Sequence, residues 1–253
     1  MSLTSYNVAS ININTITSPT KINALRNFVN SQQLDIICLQ EVENEQLTLP
    51  GYTVLSNVDH TRRGTAIALK EHIRFSHVEK SLDGRLIALR VQDTTICNVY
   101  AHSSASQRTA REQFFNGTLA YYLRHPTQHT ILAGDFNCVI RPCDSSSPNA
   151  SPALRVAVQQ LQLLDVWEKL RPRETGFTHV TGHSQSRLDR IYVSSGLREH
   201  LRTAQTHVCS FSDHKALTLR ICLPLLGHER GRGYWSLRPH LLTDDNIVDF
   251  QYR

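Results

Sequence analysis

Apolar, strand-like runs in this chain repeatedly end in acids or amides rather than in turn residues, and few architectures tolerate that. Asn12 and Asn14 alternate in Ile11-Asn12-Ile13-Asn14, which puts both amides on one face of a strand. Leu39-Gln40-Glu41 closes the next run on a carboxylate, and Gly134-Asp135-Phe136-Asn137 ends another with two polar groups facing one way. Leu188-Asp189-Arg190 sets an acid inside a strand-like run, and Ser212-Asp213-His214 precedes the last one. Each has a plain reading when taken singly: Gly-Asp is common in turns, and Asp-His pairs usually sit on surfaces. Together they are costly to bury unless they converge. A site holding Glu41 and nearby amides suits a hard, oxygen-loving cation such as Mg²⁺. His214 beside carboxylates is suited to hold a proton or to stabilise phosphate charge.

The rest of the pattern reads as α/β. Runs over 6–13 and 34–40 flank a helix that opens with Ser18-Pro19, a cap followed by proline at the first helical position, and lines up Ile22, Leu25, Phe28 and Val29. Strand-like runs follow over 52–56, 65–69, 85–92 and 94–101, at the turn spacing of a sheet. The stretch 107–123 reads as a helix despite Gly117, 130–137 as a strand, and 143–152, rich in serine and proline, as a loop. A helix is expected over 153–164, a turn over 165–170, and closing strands in FTHV, SRLDRIYVS, TAQTHVCS and KALTLRIC. This predicts one domain over 1–222 and a Gly- and Arg-rich tail over 223–253 that contains Trp235. Trp167, in an apolar stretch, reads as core.

Composition narrows the class. With 40% hydrophobic and 19% charged residues in 253, the chain can bury a sizeable core. No apolar run reaches the ~18–20 residues that cross a bilayer, and the N-terminus has neither the basic nor the apolar region of a secretory signal. A soluble, non-secreted protein without a membrane partner is expected. The six cysteines lack zinc spacing and read as reduced thiols. Net charge is +5, and the excess lies late in the chain: residues 171–240 carry eleven basic and five acidic side chains, whereas 1–60 carry two and five. Arginine outnumbers lysine 22 to 5, and its planar fork suits phosphate, which favours a polyanionic partner over a merely solvated surface.

The pieces ININ, LQE, VYA, GDFN, SRLDRIYV and SDH, in this order over residues 6–222, resemble the endonuclease/exonuclease/phosphatase superfamily. The resemblance implies a four-layered α/β sandwich, with two mixed β-sheets face to face, helices outside and the site at one end of the sheets. It also implies a phosphoesterase that uses Mg²⁺, with Mn²⁺ a possible substitute. Glu41 would hold the metal, aided by Asn12 and by Asn14, which stands where several relatives have an acid. Asp135 would orient or deprotonate the attacking water, with Asn137 beside it on the phosphate. Tyr100 would contact the phosphate. Asp189 would orient His214, which stabilises the transition state, and Asp213 completes the acidic cluster.

Within the superfamily, the run from DVWEKLRP to RIYVSSGL and the tail GRGYWSLRPHLLTDD resemble endonucleases of LINE-type (non-LTR) retrotransposons and the linker to their reverse transcriptase. That branch nicks double-stranded chromosomal DNA in the nucleus to expose a 3′-hydroxyl primer for target-primed reverse transcription. The runner-up is a cellular abasic-site endonuclease or exonuclease, followed by an inositol polyphosphate phosphatase; a non-catalytic nucleic-acid-binding module is the alternative of another class. DNA contacts are expected from Arg62 and Arg63 and from Thr178, His179, His183 and Arg187. The last four lie in or beside a hairpin over 179–186, which joins two strand-like runs next to Asp189 and is expected to set the nick position.

Overall fold

The computed structural model describes residues 3–16, 18–60, 63–124, 129–147 and 149–224. Arg62 and most of the expected tail, Trp235 included, lie outside these residues. Six strands, β1 (Leu3–Asn12), β2 (Ile36–Gln40), β3 (Tyr52–Val58), β4 (Gly64–Lys70), β13 (Leu201–Val208) and β14 (Lys215–Pro224), form one sheet in the order β13-β14-β1-β2-β4-β3. Six others, β5 (Ser76–Lys80), β6 (Leu86–Val91), β7 (Thr94–Tyr100), β8 (His129–Asp135), β9 (Leu163–Asp165) and β12 (Asp189–Ser194), form the second in the order β5-β6-β7-β8-β12-β9. A separate hairpin pairs β10 (His179–Thr181) with β11 (Ser184–Ser186).

The central strands are apolar throughout because both of their faces are covered. In β2, Ile36 and Cys38 enter the core between the sheets, where they join Ile131, Ala133 and Ile191 of the second sheet. The alternate residues Ile37 and Leu39 pack outward on Leu25 and Val29 of α1 (Pro19–Ser31). In β8, Leu132 faces the other way, onto Phe115 and Leu154. Burying each such large side chain contributes roughly 1.5–3 kcal/mol. The result is the expected four-layered sandwich. α1 starts as its sequence dictates, with the Ser18 hydroxyl accepting from the Lys21 N–H at 3.2 Å and proline in the first turn.

Topology gathers the polar strand ends. β1 and β2 run parallel, as do β7 and β8, so each pair finishes at the same end of its sheet. β14 is antiparallel to β1 and β12 is antiparallel to β8, so both begin there. Asn12, Glu41, Tyr100, Asp135, Asp189 and His214 therefore share one edge of the sandwich.

Several elements differ from expectation. The helix over 107–123 is an α-helical turn, α2 (Arg108–Gln113), that widens to a π-helix over Phe114–Leu119 and closes as α3 (Ala120–Tyr122). The wide turn keeps the adjacent Phe114 and Phe115 both buried. After α4 (Pro152–Gln160), residues 165–170 form not a turn but a short helix, α5 (Val166–Leu170). Its cap is Asp165, whose carboxylate accepts from the N–H groups of Trp167 and Glu168. Of FTHV, pairing begins only at His179. β5 is exposed along its whole length and so carries no apolar signal. All six cysteines are free thiols, and Cys143 is exposed rather than buried. Among the described residues, no helix is long and apolar enough to cross a membrane.

Candidate active site

Asp135, the last residue of β8, is buried, and its register partner across the antiparallel ladder is Asp189, the first residue of β12. His214 completes the group: its Nδ1 lies 2.8 Å from Asp189 Oδ2, and one ligating atom from each of the three falls within 4.8 Å of the others. Burial, then the neighbouring Asp189, pushes the Asp135 carboxyl up to about 7, against the pull of His214 and the N–H donors of Asn137 and Asn12. For His214, burial works against the charge, but Asp189, Asp135 and Asp213 outweigh it and raise the imidazole to about 10. At neutral pH the site thus holds an imidazolium beside a carboxyl poised to give up or take a proton.

Asn12 ties this group to Glu41. Its Nδ2 donates to Asp135 Oδ2 at 2.9 Å and to Glu41 Oε1 at 3.1 Å, while its Oδ1 accepts from the Asn14 N–H. Asn12 therefore turns its NH₂ to the carboxylates, which corrects its expected place as a metal ligand: it spaces two acids. Asn14 donates through Nδ2 to Asp213 Oδ1 at 2.9 Å, so it too is engaged with an acid. Glu41 also accepts from the Tyr100 hydroxyl at 3.1 Å. Burial and the Glu41 charge raise the Tyr100 phenol, which keeps it protonated as a donor.

The backbone is shaped to match. Glu41 and Asn137 have φ of 57° and 50°, a conformation that costs a non-glycine residue on the order of 1–3 kcal/mol. At Asn137 that bend brings its N–H to Asp135 Oδ1 at 2.9 Å, while its side chain donates to Ala101 O, so Asn137 anchors the acid. Gly134, at φ 149°, lets β8 lie against β7; a Cβ there would sit 2.1 Å from Val99 O.

A divalent cation suits Glu41. Both hydrogen bonds it accepts fall on Oε1, leaving Oε2 open among the described residues. A carboxylate oxygen left open in this way is a hard donor of the kind Mg²⁺ takes. The Asp135–Asp189–His214 group, whose ligating atoms lie within 4.8 Å of one another, is a second place that could hold a cation.

Expected DNA contacts fare unevenly. His183 is exposed at the hairpin tip, and His179 is half-buried, its ring centroid 4.7 Å from that of His214. Asp213 is exposed, 3.7 Å from His179 Nε2. Arg63 lies at the exposed turn before β4. Two assignments are corrected. Thr178 is buried, and its Oγ1 accepts from the N–H groups of Leu188 and Asp189, both at 3.1 Å, so it sets the start of β12 instead of meeting DNA. Arg187 is 2% exposed, with its guanidinium spent on Asp144, Asp165 and Glu168.

Arg187 belongs to a network the sequence did not announce. Arg190, fully buried, shares Asp144 at 3.0 Å and Asp165 at 2.8 Å with it, and Arg141 reaches Glu168 at 2.9 Å. The hairpin stands on this network, with the Ser145 and Ser186 hydroxyls 2.7 Å apart and Ser146 N–H donating to Gln185 O. Trp167 is core, as expected.

Comparison with known proteins bears on the fold and the family. A transposon TX1 protein of Xenopus laevis, named as an uncharacterized 149 kDa protein, is 32% identical over 181 residues. That stretch is 66% of this chain but 13% of the relative, so the chain spans a small part of the relative's length. An AP endonuclease from Archaeoglobus fulgidus superposes with a TM-score of 0.73 at 22% identity, covering 85% of this chain and 99% of that one. One from Leishmania major gives 0.74 at 20% identity, covering 87% and 88%. A 3′ phosphatase from Neisseria, bound to a product DNA hairpin, gives 0.72 at 19%, covering 85% and 99%. These three carry the same fold. The family model for the Endonuclease/Exonuclease/phosphatase family matches residues 4–214, from the first strand through His214, and the chain belongs to that superfamily of metal-dependent phosphodiesterases and nucleases.

Proposed function

We propose that this chain is the endonuclease domain of a LINE-type retrotransposon, followed in the full-length protein by a reverse transcriptase that the 223–253 tail leads toward. It nicks double-stranded DNA in the nucleus and exposes a 3′-hydroxyl for target-primed reverse transcription. The observation that carries the chemistry is the cluster of Asp135, Asp189 and His214, joined through Asn12 to Glu41. The transposon relative and the arginine-rich second half support the biological setting.

In the reaction, Asp135, once ionised, aligns and deprotonates the water that attacks phosphorus, and its raised carboxyl suits it to accept that proton. The bond from phosphorus to the 3′ oxygen breaks, and the departing oxygen takes a proton from solvent to become the 3′-hydroxyl. His214, held charged by Asp189, donates to a phosphoryl oxygen as negative charge builds there. Tyr100 and Asn12 keep Glu41 in place. Mg²⁺ at Glu41, for which Mn²⁺ would substitute, supplies charge neutralisation at the phosphate.

The test is conversion of supercoiled plasmid to open circles by the purified domain, with and without excess chelator. Magnesium-dependent nicks bearing 3′-hydroxyl ends are expected. Activity confined to duplexes holding an abasic site would favour the cellular repair reading, which the two AP endonuclease folds keep in view. Cleavage of inositol polyphosphate alone would overturn the nuclease reading, and DNA binding without cleavage would leave only a binding module.

A further inference from the structure

Arg85 is a buried cation that neither the site chemistry nor the ion network uses. It is 7% exposed and opens the chain into β6. Its Nη1 donates to Tyr100 O at 3.2 Å, and its guanidinium lies 5.4 Å from the Tyr100 ring centroid. Its backbone N–H donates to Asp83 Oδ1 at 3.2 Å, but among the described residues its guanidinium forms no ion pair and makes no hydrogen bond besides that to Tyr100 O. The Asp83 and Asp59 charges act on the guanidinium without pairing with it. Taking a guanidinium out of water without a carboxylate against it is costly, and such groups are ordinarily completed by an anion.

Two neighbours sharpen the picture. The turn before β6 packs on the turn before β4, where a Cβ on Gly84 would sit 2.7 Å from Arg63 O, and the Arg63 charge acts on both Arg85 and Tyr100. His102, one turn past Tyr100, acts on Arg85 as well and buries an Nδ1 that has no partner. Arg85 thus lies against Tyr100, on a turn packed with the one that carries Arg63, and His102 follows two residues after Tyr100, whose hydroxyl donates to Glu41.

Resting on the nuclease reading above, we propose that Arg85, Arg63 and His102 form a second anion subsite, which takes the phosphodiester adjacent to the scissile one on the nicked strand. A DNA strand offers phosphates at fixed intervals, so a clamp one phosphate away fixes the register of the scissile group over Asp135. Arg85 then acts twice, holding the Tyr100 backbone and fixing the strand.

The test uses the whole chain in chelator, where no cleavage occurs. Affinity for a duplex is measured against salt for wild type, Arg85→Gln and Arg63→Gln, with fold checked by circular dichroism. Each neutralised phosphate contributes about −0.9 to the slope of log affinity against log salt. Each variant is expected to lose about one such increment. In wild type, one neutral methylphosphonate beside the scissile position should weaken binding, and in Arg85→Gln that same substitution should cost nothing further. Should Arg85→Gln fail to fold, Arg63→Gln at its exposed turn still reports. Folded variants with the wild-type slope and an unchanged methylphosphonate profile would overturn the subsite. Wild-type binding that ignores salt altogether would instead overturn the DNA reading on which it rests.

Discussion

Asp135 and Asp189 are register partners in one antiparallel ladder, so two acids of the site are spaced by backbone hydrogen bonds rather than by flexible loops. The two serve different groups: Asp189 holds His214, and Asp135 is held by Asn12 and Asn137. Neither can drift without the sheet.

Asp135→Ala and His214→Ala are each expected to lower nicking by ~10²–10⁴-fold or more while leaving DNA binding largely intact. Single-turnover plasmid nicking alongside a binding isotherm checks this. Wild-type rates from the purified Asp135→Ala protein would remove Asp135 from the reaction.

The two shifted groups also predict how stability follows pH. His214, raised from 6.5 to about 10 in the fold, adds stability that is whole below pH 6.5 and fades as pH climbs toward 10. Asp135, raised from 3.8 to about 7, is better tolerated protonated, so its contribution also falls as pH rises from about 4 to 7. Both signs agree. In chelator, the melting temperature should decline from pH 5 to pH 9, and added Mg²⁺ should raise it more at pH 8 than at pH 5, because a nearby cation favours ionised Asp135. A metal-free melting curve that rises with pH over this range would contradict both assignments.

Asp144→Ala leaves Arg187 and Arg190 buried with half of their hydrogen bonds to acids gone. A cost of about 3–5 kcal/mol is expected, read from denaturant midpoints. Because the hairpin and the start of β12 both rest on this network, the variant should also lose nicking at temperatures where it remains folded. Stability within 1 kcal/mol of wild type would show that the network contributes little.

Replacing residues 180–185 with a Gly/Ser linker should redistribute nick positions on a sequenced plasmid while preserving metal dependence and most of the total rate. An unchanged nick map at equal activity would assign target choice elsewhere. Loss of all activity would trace to displacement of Asp189.

The candidate acids were legible in the sequence because each breaks a local rule: Glu41 and Asp135 sit where an apolar strand should simply turn, and Asp189 interrupts a strand-like run. The strand and helix runs read by themselves only as α/β; the sandwich came from the resemblance carried by ININ, LQE, GDFN and SDH. Arg187 and Arg190 were not legible. In a basic half, a buried arginine reads like a solvated one until Asp144, Asp165 and Glu168, some twenty to forty positions away, close on it. Arg85 was hidden similarly, since its partner is a carbonyl and a ring face rather than an acid. The sense of the Asn12 amide depends on a single N–H from Asn14, which no spacing rule encodes.

The hairpin divides sharply along its length. Its base is fastened by Ser145, Ser186 and the buried arginines, whereas at its tip Gly182 would have nothing within 4 Å of an added Cβ. Side chains at the tip therefore meet no neighbour, although the φ of 56° at Gly182 itself strains any replacement there, while Thr178 at the foot of the hairpin bonds the Asp189 N–H directly. Sequence change can thus accumulate at the free tip without moving the anchored base, much as a tool with an interchangeable bit keeps its motor.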